Sequence, residues 1–412
     1  MNHLGAWRAA CAETDQLFEL LADDTLYERP IPERHRVIFY LGHLEAFDWN
    51  QARAALNLKA FAPALDQLFA FGIDPPAGQL PADTPADWPK LETVRAYVQQ
   101  VRTRVEAAFT GQSLPDPIRQ TAIEHRLEHA ETLAYMLHNF PPVKKRRPAR
   151  GWEPSAVTEA VENRKILIPA GEATLGRAGD GFGWDNEFAE HREPVPAFRI
   201  DRFKVTNGDY LNFVEAGGTP SHFWLRSENG WHWRGMFGEF SLPLNWPVYV
   251  TQQQAADYAS WKGGQLPSEA QFHRAAFGTP SDGPEAGRER NYPWGRELSR
   301  HDAAGRARGN FAFQAWDPVA VTATPAGDSA FGVAQLTGNG WEWTRSVFAP
   351  FPGFEPFPFY PGYSANFFDG THFVLKGGSP RTAEPLLRRS FRNWFRPAYP
   401  YLYAAFRCVE PA

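Results

Sequence analysis

Cysteine is nearly absent. Cys11 and Cys408 are the two in 412 residues, too few for a disulfide framework or a multi-cysteine zinc site, and their scarcity fits the reducing cytoplasm. No apolar run approaches the roughly 18 residues that a membrane-spanning helix needs. Glu13 and Asp15 interrupt the N-terminal stretch before any signal-peptide core forms, so neither a membrane partner nor secretion by that route is expected. Excess positive charge is missing as well: 42 Lys and Arg stand against 47 Asp and Glu, a net charge of −5, which argues against a general nucleic-acid partner. What the chain has in abundance is large rings, 15 Trp and 32 Phe. Aromatics on that scale mean a loop-rich domain whose core rests on rings, or a pocket lined by them.

The length suggests two or three domains, and the pattern divides the chain accordingly. Residues 1–140 read as helices near Trp7–Ala22, His35–Leu58, Leu91–Phe109 and Pro117–Asn139, where apolar residues recur at helical spacing. Four such helices suffice for an up-and-down bundle. Residues 141–164 carry the basic run Lys144–Arg147 plus Arg150 and read as a solvated linker. From residue 165 to 412 short apolar runs such as Ile166–Ile168 and Val248–Val250 alternate with Gly, Pro, Asn and Asp turns. Helices are expected at Gln252–Trp261 and Ser268–Phe277, with irregular loops at Gly278–Val319 and Ala349–Asp369. This is an α+β domain of the loop-rich kind that more often builds a site than a scaffold.

The sharpest chemical signal is His125-Arg-Leu-Glu-His129 on the last bundle helix. Residues four apart share a helix face, so both imidazoles can reach one ion. His43 lies mid-helix among apolar neighbours that turn it toward the bundle interior, where facing helices assemble metal sites. Three imidazoles leave coordination positions open and suit iron, zinc, copper or nickel alike. The zincin motif is excluded because position 126 is Arg.

At these residues the chain resembles a two-domain family. Leu41-Gly-His43 and His125-x3-His129-x-Glu131 resemble the ligand motifs of a DinB-type bundle. Ile168-Pro-Ala-Gly171, Val205-Thr-Asn-Gly-Asp-Tyr210, Leu266-Pro-Ser-Glu269, Tyr292-Pro-Trp-Gly295, Leu336-Thr-Gly-Asn-Gly-Trp-Glu-Trp343 and Lys376-Gly-Gly-Ser379 resemble the formylglycine-generating-enzyme fold, which is C-type-lectin-like. This fusion, multidomain α and α+β, is the layout of the ergothioneine-type sulfoxide synthases. The resemblance implies Fe(II) held by His43, His125 and His129, with O2 as co-substrate, and a carbon–chalcogen bond made at the imidazole C2 of hercynine. Formylglycine generation is not expected, since Ser379–Arg407 holds no cysteine.

Departures from the family point to the second substrate. Glu128 stands where Gln is usual and implies a carboxylate toward hercynine's cationic ammonium. Asn393 and Trp394 match hercynine-pocket residues, but the acidic residue after them is Phe395. The stretch Gly72–Pro89 has no Lys or Arg and holds Asp74, Asp83 and Asp87, which would repel a carboxylate-bearing donor. The family's active-site Tyr falls near Ser364, leaving the adjacent Tyr363 as catalytic candidate. Together these favour a relative of selenoneine synthase, joining hercynine to a selenosugar; the alternatives are a C–S synthase using cysteine or γ-glutamylcysteine, and a non-catalytic binding module. The Arg-rich segment from Arg381 to Arg407 is expected to serve structural pairing.

Overall fold

A computed structural model describes residues 2–73, 79–111, 113–148, 159–179, 181–282 and 285–412. Two compact units emerge, Met1–Ala149 and Arg150–Ala412.

In the first unit α1 spans His3–Glu19, α2 Val37–Ala55, α3 Pro63–Phe71, α4 Leu91–Thr110 and α5 Asp116–His138. The Asn2 side chain caps α1 by accepting from the Gly5 amide at 2.7 Å, which satisfies one of the helix's orphan donors. α1 packs on α5, and α2 packs on α3, α4 and α5. Leu17, Ile38, Leu44, Val94, Val101, Leu133 and Leu137 fill the space between. The four long helices fall where the 3.6-residue period put them. α3 was not expected: nine residues are too few turns for a period to show. No helix among the described residues is long and apolar enough to cross a membrane.

The start of the basic run does not behave as a free linker. The Arg146 amide donates to the Leu20 carbonyl at 2.7 Å, Lys144 pairs with Glu28, and Lys145 is buried. These residues cover the end of α1, so the bundle reaches further along the chain than charge alone suggested. Arg150 lies outside the described residues.

Among its described residues the second unit holds twelve short strands and three α-helices. The strands are β1 Lys165–Ile168, β2 Gly171–Leu175, β3 His191–Val195, β4 Phe198–Asp201, β5 Trp224–Ser227, β6 Gly230–Arg234, β7 Glu239–Ser241, β8 Trp341–Val347, β9 Phe373–Lys376, β10 Asn393–Phe395, β11 Ala404–Ala405 and β12 Val409–Pro411. The helices are α6 Asn207–Glu215, α7 Gln252–Trp261 and α8 Glu269–Phe277. Sheets run β1-β4-β12, β10-β9-β8-β11, β2-β3 and β5-β6-β7. Ile168, Phe198, Ile200, Phe272, Leu336 and Val409 form one core cluster. Trp184, Trp233, Trp246 and Trp343 are fully buried, so much of the aromatic excess is core.

Of the short apolar runs, Ile166–Ile168 lies in β1, whereas Val248–Val250 is not a strand. Val248 donates to the Val205 carbonyl, Val250 donates to Ala404, and the Val250 carbonyl accepts from the Trp343 indole at 2.8 Å. Bonds to three separate segments satisfy the backbone without forming a ladder. The Arg-rich segment is paired as expected: Arg389 with Glu289 at 3.0 Å, Arg392 with Glu269 at 3.1 Å, and Arg388 with Glu187. Arg381 lies over the rings of Phe313 and Trp316, and Arg407 meets Glu342 at 2.6 Å. Arg396 is the one arginine of the segment that is exposed.

Candidate metal centre and aromatic site

His43 from α2 and His125 and His129 from α5 converge, each offering a ring nitrogen within 4.8 Å of the others. Metal–nitrogen bonds of about 2.1 Å would draw that triangle inward around one ion. His125 stacks face to face on Phe47 at 3.5 Å between centroids, and His43 lies on Phe39 at 4.7 Å. Loss of solvent around the rings pushes the His43 imidazole down to about 4, and burial, with the neighbouring imidazoles, drives His125 and His129 well below their ordinary value. All three are therefore neutral at pH 7, the state in which imidazole ligates. Nδ1 of His129 is buried without a hydrogen bond among the described residues, which an ion at that nitrogen would cure. The residues fit a metal ion with open positions.

His43 is also oriented. Its Nδ1 lies 2.8 Å from the Phe69 carbonyl oxygen. A carbonyl can only accept, so Nδ1 carries the proton and Nε2 is left for a metal. Gly42 permits this approach, because a methyl group there would overlap the Phe69 ring. Gly42→Ala is expected to cost about 1–3 kcal/mol through overpacking, measurable by urea unfolding, together with weaker metal retention.

Behind the ligands sits a charge clamp. Arg126, fully buried, meets Asp48 at 2.6 Å and Glu45 at 3.0 Å. The Trp7 indole donates to Asp48 at 2.7 Å. Arg102 of α4 holds both Glu45 and Asp15. One polar network thus ties α1, α2, α4 and α5 in a fixed register. The sequence marked Arg126 only as the absence of a zincin glutamate; its partners, some eighty positions away, left no local signal.

Glu128 is half-buried on the same turn of α5 as His129. In the second unit Trp394 stacks on Phe348 at 4.2 Å, and Tyr363 meets it edge-on at 5.4 Å. Tyr363 itself stacks on Trp184 at 3.8 Å. Phe395 instead stacks on Tyr399 at 5.2 Å, as the alternation of a strand requires. The Asn393 side-chain oxygen accepts from the Trp394 amide at 2.9 Å. Tyr363 therefore assembles with Trp394 and not with Phe395. The Ser364 hydroxyl is buried, donating to Asp185 and accepting from Asn186 at 2.9 Å, so it cannot replace a tyrosine hydroxyl.

The acidic loop needs correcting. Asp83 is held by Arg29 and Arg36 and by the Trp88 indole at 2.8 Å. Asp87 accepts from the amide and hydroxyl of Thr84. Asp74 lies outside the described residues. The charge of Asp83 is already neutralised, so it offers little repulsion to a carboxylate-bearing donor.

The two units define a fusion enzyme of a DinB bundle with a sulfatase-modifying-factor fold. Residues 6–157 match the DinB superfamily and residues 153–412 the sulfatase-modifying factor enzyme 1-like domain. A hercynine oxygenase of Mycolicibacterium smegmatis is 34% identical over 379 residues, covering 84% of this chain and 83% of its own. Ergothioneine biosynthesis protein 1 of Neurospora crassa is 28% identical over 99% of this chain, which spans 57% of that longer protein. A formylglycine-generating enzyme of Streptomyces coelicolor is 29% identical over 56% of this chain. The chain belongs to the ergothioneine-type sulfoxide synthase family.

Proposed function

We propose that this chain is a cytoplasmic, iron(II)-dependent enzyme that uses O2 to join the sulfur of cysteine or γ-glutamylcysteine to the imidazole C2 of hercynine as a sulfoxide. The observation that carries the reading is the convergence of His43, His125 and His129 in a chain 34% identical to a hercynine oxygenase. Iron(II) held by these three would supply open positions where O2 and the substrates meet, and with them the proximity a bimolecular oxidation lacks. The reaction balances without a further reductant: a C2–H and an S–H bond break, a C–S bond forms, one oxygen atom goes to sulfur and the other leaves as water. The four electrons come from the substrates.

The chain's own side chains bind and orient. In the bundle Glu128 offers a carboxylate suited to a cation; in the second unit Trp394 offers a ring face and Asn393 an amide. Tyr363 is the proposed proton donor, since Ser364 is already engaged by Asp185 and Asn186. Only small molecules serve as partners, with no nucleic acid or membrane.

A selenosugar donor, forming C–Se in selenoneine synthesis, is the second reading. It rests on Phe395, an apolar ring where the family has an acid, and no longer on the acidic loop. The test offers cysteine, γ-glutamylcysteine and a 1-seleno sugar separately to iron(II)-loaded protein with hercynine and O2, with products read by mass spectrometry. A sulfoxide from a thiol is the expected product. A selenium adduct alone would transfer the donor site to the sugar, and no product despite bound iron would favour a binding module.

A further inference from the structure

The short helix α3 reaches His43 through the Phe69 carbonyl oxygen. That oxygen is available because of where the helix stops. The last four carbonyls of a helix have no intrahelical partner. α3 ends at Phe71, and Gly72, with φ of +77° and its amide bonded to the Leu68 carbonyl, turns the chain away. The exposed end of the helix dipole thus faces the His43 N–H. Partial negative charge there raises the electron density that the opposite ring nitrogen can give to a metal.

α3 cannot hold this position by itself. A helix of nine residues is too short to be stable in isolation, and its N-cap, Ala62, makes no side-chain capping bond. Two polar ties fix it. The Tyr97 hydroxyl of α4 donates to Asp66 Oδ1 at 2.8 Å, and the Asn50 amide of α2 donates to the Asp66 carbonyl at 3.2 Å. Asp66 is buried, so the Tyr97 bond is shielded from water, where it is worth most. Phe69, fully buried, is wedged between Trp88, Tyr97 and the bare backbone of Gly42.

We propose that α3 is a positioning element for the metal centre, and that Tyr97 and Asp66 are its positioning residues, acting on His43 through the Phe69 carbonyl. The assignment rests on the three-histidine metal reading and adds to it residues far from the ligands in sequence. Loss of an outer partner of a metal-bound histidine typically costs about 10–100-fold in affinity.

The test is cobalt(II) binding to the full-length metal-free protein, followed by calorimetry and by the visible d–d bands, in wild type, Tyr97→Phe, Asp66→Ala and Asp66→Asn. Val105→Ala, a buried cavity variant elsewhere on α4, serves as a control for general destabilisation. Tyr97→Phe and Asp66→Ala are expected to weaken cobalt binding by about tenfold or more and to alter the d–d bands. Asp66→Asn, which keeps an oxygen for the tyrosine hydroxyl, is expected to stay near wild type, and Val105→Ala to bind normally. Normal affinity and bands in Tyr97→Phe and Asp66→Ala, or equal losses in Val105→Ala, would reduce α3 to ordinary packing. A wild-type protein that takes up no cobalt would instead overturn the metal reading on which the assignment stands.

Discussion

His129→Ala abolishes iron loading while the bundle stays folded: this is the expected result of removing one of three converging imidazoles. Two ligands on one ion lose more than the roughly 10–100-fold that removal of an outer partner costs. The fold should survive because the ring contributes no hydrogen bond through Nδ1 and the neighbouring helix contacts rest on Ala130, Leu133 and Leu137, all fully buried. Elemental analysis after iron(II) reconstitution, with circular dichroism as the check on folding, decides it. Iron at wild-type occupancy would take His129 out of the ligand set.

Arg126→Ala carries the largest expected cost in stability. It strips the guanidinium from Asp48 and from Glu45, both about 1% exposed, and among the described residues leaves Asp48 with only the Trp7 indole. Breaking a buried ion pair by removing one partner costs about 3–5 kcal/mol, most of it the burden of a buried charge left uncompensated. Glu45 keeps Arg102, so the expected value lies toward the lower end. Urea unfolding of the full chain, followed by helix ellipticity, measures it, and a loss under about 1 kcal/mol would show that the network is dispensable. Because the clamp sets the register of α2 against α5, iron retention should fall with stability.

The sequence displays whatever is local. Four long helices announced themselves by spacing, and the i, i+4 pair His125 and His129 by the geometry of one helix face. What it hid is non-local or short. α3 has too few turns to show a period, although Pro63 at its first turn is a start signal. Asp83 read as a loop charge facing a substrate because Arg29 and Arg36, which neutralise it, lie about fifty residues earlier. Tyr363 and Trp394 gave no hint of their contact, since an irregular loop carries no register from which facing could be inferred. The pairing of the Arg-rich segment was legible only in kind: interleaved rings implied packed stems, but Glu187, Glu269 and Glu342 could not be assigned as partners without the fold.

One buried triad joins segments from the beginning, the middle and the end of the second unit. Glu342 is held by Lys204 at 2.6 Å and by Arg407 at 2.6 Å, and all three side chains are fully buried. Beside them β4 sits between β1 and β12, so Ile200 is flanked by Ile166 and Val409. A chain emerging from the ribosome therefore makes Lys204 and Glu342 before Arg407 exists to occupy the second carboxylate oxygen of Glu342. Residues 404–411 act as a closing seam, and until they arrive the strand β4 presents an open edge. Folding of this unit should be late and all at once, slow as non-local topologies are, and acutely sensitive to any truncation that removes the seam.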